Sequence, residues 1–265
     1  RVRCEIFSAS LQGSDCGQKY VALSYTWGNP DQRAYIIANG ARQYVRKNLE
    51  RALSALRRGD QDVILWVDAL CINQENLDER NEQVTLMANI YRNSEDVFIY
   101  LGETNPNISL AMDIMRNAEG QGQDTLQTWS SDTKDYIRLK ELEPLDEAEL
   151  RQFASTEGAK QGLQDLLSRP WFDRVWILQE AAHARSHRVF CGPRSASSRT
   201  LCKSIGIVRI VPKPHCQAVL RILEGGHAWW EKRDIASLLR RFRGSKATDE
   251  RDKIYALLSM SSDAS

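Results

Sequence analysis

Several signatures that would settle a function at once are missing from this sequence. No Gly-x-Gly-x-x-Gly follows a strand, which removes the Rossmann cofactor fingerprint, and no Walker A sequence is present. There is no Gly-x-Ser-x-Gly nucleophile elbow either. Six cysteines among 265 residues lie far apart without a repeated spacing. They read as neither a disulfide framework nor a zinc site, and a reducing compartment, the cytoplasm, is the simpler expectation. No apolar run reaches the roughly 20 residues that span a bilayer, and no signal peptide opens the chain, so no membrane partner is expected. A dominant charge is lacking too. The 36 Lys and Arg residues against 35 Asp and Glu leave a net charge of +1, which points away from a nucleic-acid partner. The chain starts at Arg1 without an initiator Met, which reads as excision from a longer protein with further domains.

What remains is an ordinary globular composition, 42% hydrophobic and 27% charged, able to bury a core. Tyr20–Tyr25 reads as a strand that ends in the breakers Trp27-Gly28-Asn29-Pro30. Tyr35-Ile36-Ile37, Asn39-Gly40 and Gln43-Tyr44-Val45 predict a hairpin with a type I′ turn. Asn48 reads as the cap of a helix carrying Leu49, Ala52, Leu53 and Leu56 on one face. Val63–Val67 is apolar throughout, like a strand buried on both faces. A helix over about 79–92 and a strand at Val97–Leu101 follow. This alternation predicts an α/β fold with a central parallel sheet flanked by helices, a β-hairpin insertion and a mostly helical C-terminal extension. Residues 1–118 form the predicted βαβ core of a single domain spanning 1–265. Residues 119–157 read as a variable, partly helical insertion, and 158–265 as the remaining core with its extension.

Ligands in such sheets bind beyond the C-terminal strand ends, at the switch point in strand order. That rule selects Ser24, Tyr25, Thr26, Trp27 and Gly28, and Asp68 after the second parallel strand. Hydroxyls, aromatics and a permissive Gly suit a ligand with a flat ring and a polar tail. A strand end with a buried Trp anchor explains them equally well. Asp68, near Asn73, Gln74 and Arg80, is a carboxylate at an apolar strand end. It is functional, or it caps the next loop. A helix predicted to be capped by Asp173 carries Trp176 and Glu180. A carboxylate held against Trp and Leu acquires a shifted pKa, unless Glu180 simply pairs with Arg174 or Arg185. His183 and His187 lack a third ligand, so no metal site is expected. Cys71 reads as a small buried thiol.

Taken together, Leu23–Gly28, Leu65–Gln74, Glu79-Arg80 with Gln83-Val84, Arg169–Glu180 and Asp252–Leu258 resemble the fungal heterokaryon incompatibility (HET) domain. The resemblance spans nearly the whole chain. Tyr100-Leu101-Gly102 departs from the family's more usual Trp-Leu-Gly, and Ser259 stands where Gly is usual. It implies an effector or signalling role in non-self recognition and programmed cell death. It also implies a distant likeness to Toll/interleukin-1 receptor (TIR) domains, whose flavodoxin-like sheets often cleave NAD⁺. By that analogy Glu180 is the catalytic carboxylate, and Ser24, Tyr25, Trp27, Gly28, Asp68, Arg80, Arg174 and Trp176 bind substrate. NAD⁺ is then a nucleotide substrate and no cofactor is implied. Self-association is the expected partnership, and a non-catalytic interaction module is the alternative.

Overall fold

The computed structural model describes residues 1–11, 19–57, 59, 61–119, 146–225 and 232–263. Two short stretches open it, β1 (Arg3–Cys4) and β2 (Val21–Tyr25). The expected hairpin follows as β3 (Arg33–Ala38) and β4 (Ala41–Arg46). Its turn uses Asn39 and Gly40, both at positive φ (49° and 79°), as a type I′ turn requires. The hairpin joins β1 in a separate three-stranded sheet. Next come α1 (Lys47–Leu56), β5 (Leu65–Trp66), α2 (Asp68–Cys71), α3 (Leu77–Asn93) and β6 (Asp96–Tyr100). After these lie α4 (Pro106–Ala118), α5 (Glu147–Ser155), α6 (Glu157–Leu167), α7 (Ile177–His183), β7 (His187–Cys191) and β8 (Arg194–Ser197). The described chain closes with α8 (Ser198–Val208), α9 (Pro214–Leu223), α10 (Ile235–Arg241) and α11 (Asp252–Leu258).

The central sheet has the order β5-β2-β6-β7-β8. Its first four strands are parallel and β8 returns antiparallel from β7. The chain moves from β2 to one neighbour, β5, then crosses to the other, β6. The strand order therefore reverses at β2. Successive side chains alternate between faces, and the core divides accordingly. Ala22, Val97, Ile99 and Val189 join one apolar cluster with α4–α9. Val21, Leu23, Tyr25, Phe98, Tyr100 and Phe190 join the other, with α1 and the hairpin. Phe98 and Phe190 meet across neighbouring strands with ring centroids 4.8 Å apart.

Local capping refines the expected boundaries. Asn76 accepts from the amides of Asp78 and Glu79 to start α3, and Asn105 accepts from Ile108 ahead of Pro106 to start α4. Three expectations need correction. Asn48 does not cap α1, which begins at Lys47 after an Arg46 that supplies no side-chain acceptor; the Asn48 amide instead donates to the Thr26 carbonyl. The apolar run Val63–Val67 forms only a two-residue edge strand, β5, half-buried rather than enclosed, because β2 alone pairs with it. Asp173 caps no helix. It ends a 3₁₀ turn, Pro170–Asp173, and its carboxylate pairs with His215 at 2.8 Å and Lys246 at 2.7 Å.

Residues 120–145 of the expected insertion lie outside the described residues. At its edges, the Asp146 amide donates to the Ala118 carbonyl at 2.9 Å. Beyond it, α5 buries Leu150 and Phe153 completely. Gly162 lets α6 lie against α4: a Cβ there would fall 2.1 Å from the Asn107 carbonyl oxygen. Among the described residues, no helix is long and apolar enough to cross a membrane.

Candidate active site at the end of the second strand

Ser24 and Tyr25 are the last residues of β2, and the period of the strand sends them to opposite faces. On the Ser24 face, its hydroxyl donates to Glu180 Oε2 and accepts from Trp171 Nε1 at 2.7 Å. Trp171 reaches this point from the 3₁₀ turn that Pro170 starts, a position where a fixed φ is favourable. Glu180 arrives from α7. The three side chains form a closed polar knot: Ser24 and Trp171 are 1% exposed and Glu180 is 3% exposed. A buried indole N–H requires an acceptor, and here the serine hydroxyl relays it to the carboxylate.

Burial pushes the Glu180 carboxyl up to about 7. The Arg174 guanidinium, 4.0 Å from Oε1, and the Ser24 hydrogen bond oppose that rise, while the charge of Asp68 adds to it. Tyr91, buried behind the strand, feels the same carboxylate: burial first, then the charge of Glu180, raises its hydroxyl.

On the Tyr25 face the second carboxylate, Asp68, is half-buried at the start of α2. It accepts from Trp27 Nε1 at 2.7 Å, from the Ala69 amide at 2.7 Å and from the Tyr25 hydroxyl. Burial raises Asp68, and Arg174 is the foremost influence that lowers it. The Tyr25 hydroxyl is raised first by its own burial, then by Asp68. Arg174 stands between the two carboxylates and donates to the Tyr25 carbonyl. The outer face of Trp27 is occupied by the Arg46 guanidinium, 4.9 Å from the ring centre.

A cavity of about 290 Å³ opens beyond the ends of β2 and β6, where the strand order reverses. Thr26, Gly28, Gly102 and Pro170 line it. Gly28 and Gly102 both adopt positive φ (78° and 109°). Glu180, Ser24 and Asp68 are not among the lining residues.

Of the residues selected from sequence, Ser24, Tyr25, Trp27, Asp68, Arg174 and Glu180 therefore form one connected cluster, with Gly28 at the cavity rim. Two others stand apart. Arg80 is exposed near the start of α3 and, among the described residues, forms no ion pair with Asp68 or Glu180. Trp176 turns to α11, where its Nε1 donates to Asp252 Oδ2 at 3.2 Å. Trp171 was not selected. Its signal was present, since a Trp directly after Arg-Pro that becomes buried must find an N–H partner. His183 and His187 do not share a site: His183 contacts Arg92 and Ser259, and His187 contacts the Ala181 carbonyl. Cys71 is exposed rather than buried, with its Sγ accepting from the Val67 amide at 3.4 Å. Among the described residues, no group of three or more His, Cys, Asp or Glu could hold a metal ion.

The profile of the heterokaryon incompatibility protein (HET) family matches residues 20–180, from just before β2 to Glu180 itself. The chain belongs to the heterokaryon incompatibility family. Heterokaryon incompatibility protein 6, OR allele, of Neurospora crassa is similar to this HET domain, with 23% identity over 237 residues. That alignment covers 80% of the present chain but 34% of the relative, so the chain spans about a third of the relative's length. No solved structure matches. The family match encloses both carboxylates, Ser24, Trp171 and Arg174.

Proposed function

We propose that this HET domain is an effector of fungal non-self recognition that triggers cell death by hydrolysing NAD⁺ at the nicotinamide–ribose bond. The observation that carries this reading is Glu180: a buried carboxylate at the end of β2, oriented by the Ser24 hydroxyl and flanked by Arg174. Breaking the N-glycosidic bond releases neutral nicotinamide and leaves oxocarbenium character on the ribose. A preorganised carboxylate stabilises that charge. Water then adds to the ribose carbon and loses a proton, giving ADP-ribose. Only the ionised form of Glu180 serves, so a carboxyl raised to about 7 makes the activity rise with pH through neutrality. The parallel strands, numbered within their own sheet, run 2-1-3-4. That order supports a flavodoxin-like, and so TIR-like, architecture. We further propose that the domain acts in the cytoplasm and self-associates.

One observation favours the alternative, a non-catalytic interaction module. Glu180 is 3% exposed and already hydrogen-bonded, which also describes a structural carboxylate. Nicotinamide release from NAD⁺, followed across protein concentrations high enough for self-association, separates the two. Turnover that Glu180→Gln abolishes is the expected result. Absence of turnover at every concentration, or equal turnover in the variant, overturns the catalytic reading.

A further inference from the structure

The cavity beyond β2 and β6 has a charge pattern that the proposed chemistry at Glu180 does not use. Three cations from two separate segments converge on it: Lys47 and Arg51 from α1, and Arg169 from the turn before Trp171. One carboxylate, Glu103, faces them, and Arg51 already neutralises it at 3.0 Å. Arg169 is aimed by a different bond, since its Nη2 donates to the Glu103 carbonyl at 2.7 Å. Its Nη1 lies over Gly102, 3.4 Å from where a Cβ would stand. Gly102 is required there by its positive φ of 109° rather than by lack of space. Lys47 is exposed and, among the described residues, its ammonium has no ion-pair partner. The lining thus carries two positive charges in excess. Gln32 and Asn48 are polar members of the same lining, and α1 begins there with its positive N-terminal end.

A solvated face disperses its cations. Here they line a concave space of about 290 Å³, at the switch point where ligands of open α/β sheets bind. Two guanidiniums and an ammonium match the tetrahedral oxygens of phosphoryl groups, which arginine grips bidentately. We propose that Lys47, Arg51 and Arg169 form the subsite for the phosphoryl groups of a small-molecule nucleotide. Assigning those groups to the pyrophosphate of NAD⁺ rests on the hydrolase reading above; the anion site does not. Thr26 and Pro170 line the cavity and are close in sequence to Ser24 and Trp171, so the subsite adjoins the Glu180 knot through two chain segments.

The test measures binding without turnover. Inorganic pyrophosphate, ADP-ribose and adenosine are titrated calorimetrically into the wild-type domain, Lys47→Glu and Arg169→Gln. Pyrophosphate and ADP-ribose are expected to bind, more weakly at high salt, and adenosine is not. Each substitution should weaken both anions by about tenfold or more, the loss of one charge-assisted contact. Lys47 is exposed, so Lys47→Glu reports on the site even if Arg169→Gln fails to fold. Binding of neither anion at millimolar concentration overturns the proposal, as does unchanged affinity in Lys47→Glu. Anion binding with no nicotinamide release supports the subsite while removing the hydrolase reading.

Discussion

Glu180 and Asp68 sit on opposite faces of the same strand end, and their surroundings differ in kind. Glu180 is enclosed by Ser24, Trp171 and Arg174, and is raised to about 7. Asp68 is half-buried and takes donors from Trp27, Tyr25 and the Ala69 amide. Both feel Arg174, which approaches Glu180 from the side while bound to the Tyr25 carbonyl. The pair shows how a one-residue step along one strand, Ser24 to Tyr25, assigns two carboxylates different jobs. One is shielded and close to neutrality in its titration. The other braces a helix start and an indole.

The contrast breaks most sharply in turnover. Glu180→Gln should reduce nicotinamide release by about 100-fold or more, the scale of losing one electrostatic contact to the transition state. Asp68→Asn should cost well under that in kcat, with any effect falling on folding. Equal losses would mean that the two carboxylates act as one unit. In stability, Ser24→Ala strands both Glu180 Oε2 and the Trp171 indole, neither of which has another hydrogen-bond partner among the described residues. Denaturant unfolding should show a loss of about 3 kcal/mol.

A pH series sharpens the comparison further. Unfolding returns Glu180 to its ordinary value of 4.5, so between there and about 7 the folded state binds more protons. The contribution of Glu180 to stability therefore falls as pH rises through that window and levels above it, against the opposite slope of His183 and His187, both lowered to about 4 by burial. The change is on the order of 1–3 kcal/mol, and Glu180→Gln should flatten it. Asp96, raised to about 6 by burial, adds a slope of the same sign that persists in the variant. A wild-type profile that Glu180→Gln leaves unchanged would show that Glu180 does not titrate in this range. The smallest effect belongs to Trp176→Phe. It removes an indole bond to Asp252 at a half-buried site, worth about 1 kcal/mol in thermal or denaturant midpoints, and should leave turnover intact.

Much of this arrangement was legible in the chain. The apolar strands β2 and β6, the Asn-Gly hairpin and the switch-point position of Ser24 follow from short-range pattern and a general topological rule. So does Asp68 near that strand end, whereas Glu180 beside it was implied only by the family resemblance. The rest depends on partners far apart in sequence. Periodicity could put Trp176 and Glu180 on one helix, but not reveal that α7 begins after Trp176 and that α11 supplies Asp252. The turn at Pro170 brings Trp171, rather than Trp176, to Ser24. Arg80 read as a neighbour of Asp68 because it follows soon after, yet α3 carries it to the surface. The convergence of Lys47, Arg51 and Arg169 has no local signature at all, since segments more than a hundred residues apart supply it.

The hydrogen bond from the Asp146 amide to the Ala118 carbonyl ties two helices together at their ends. Ala118 is the last residue of α4 and Asp146 caps α5, so the bond fixes where one helix stops relative to where the other starts, beside the close seating of α6 on α4. This anchor belongs to the helical layer and not to the strand end that carries Ser24. A change at it should therefore act on helix packing while the machinery at β2 stays as it is.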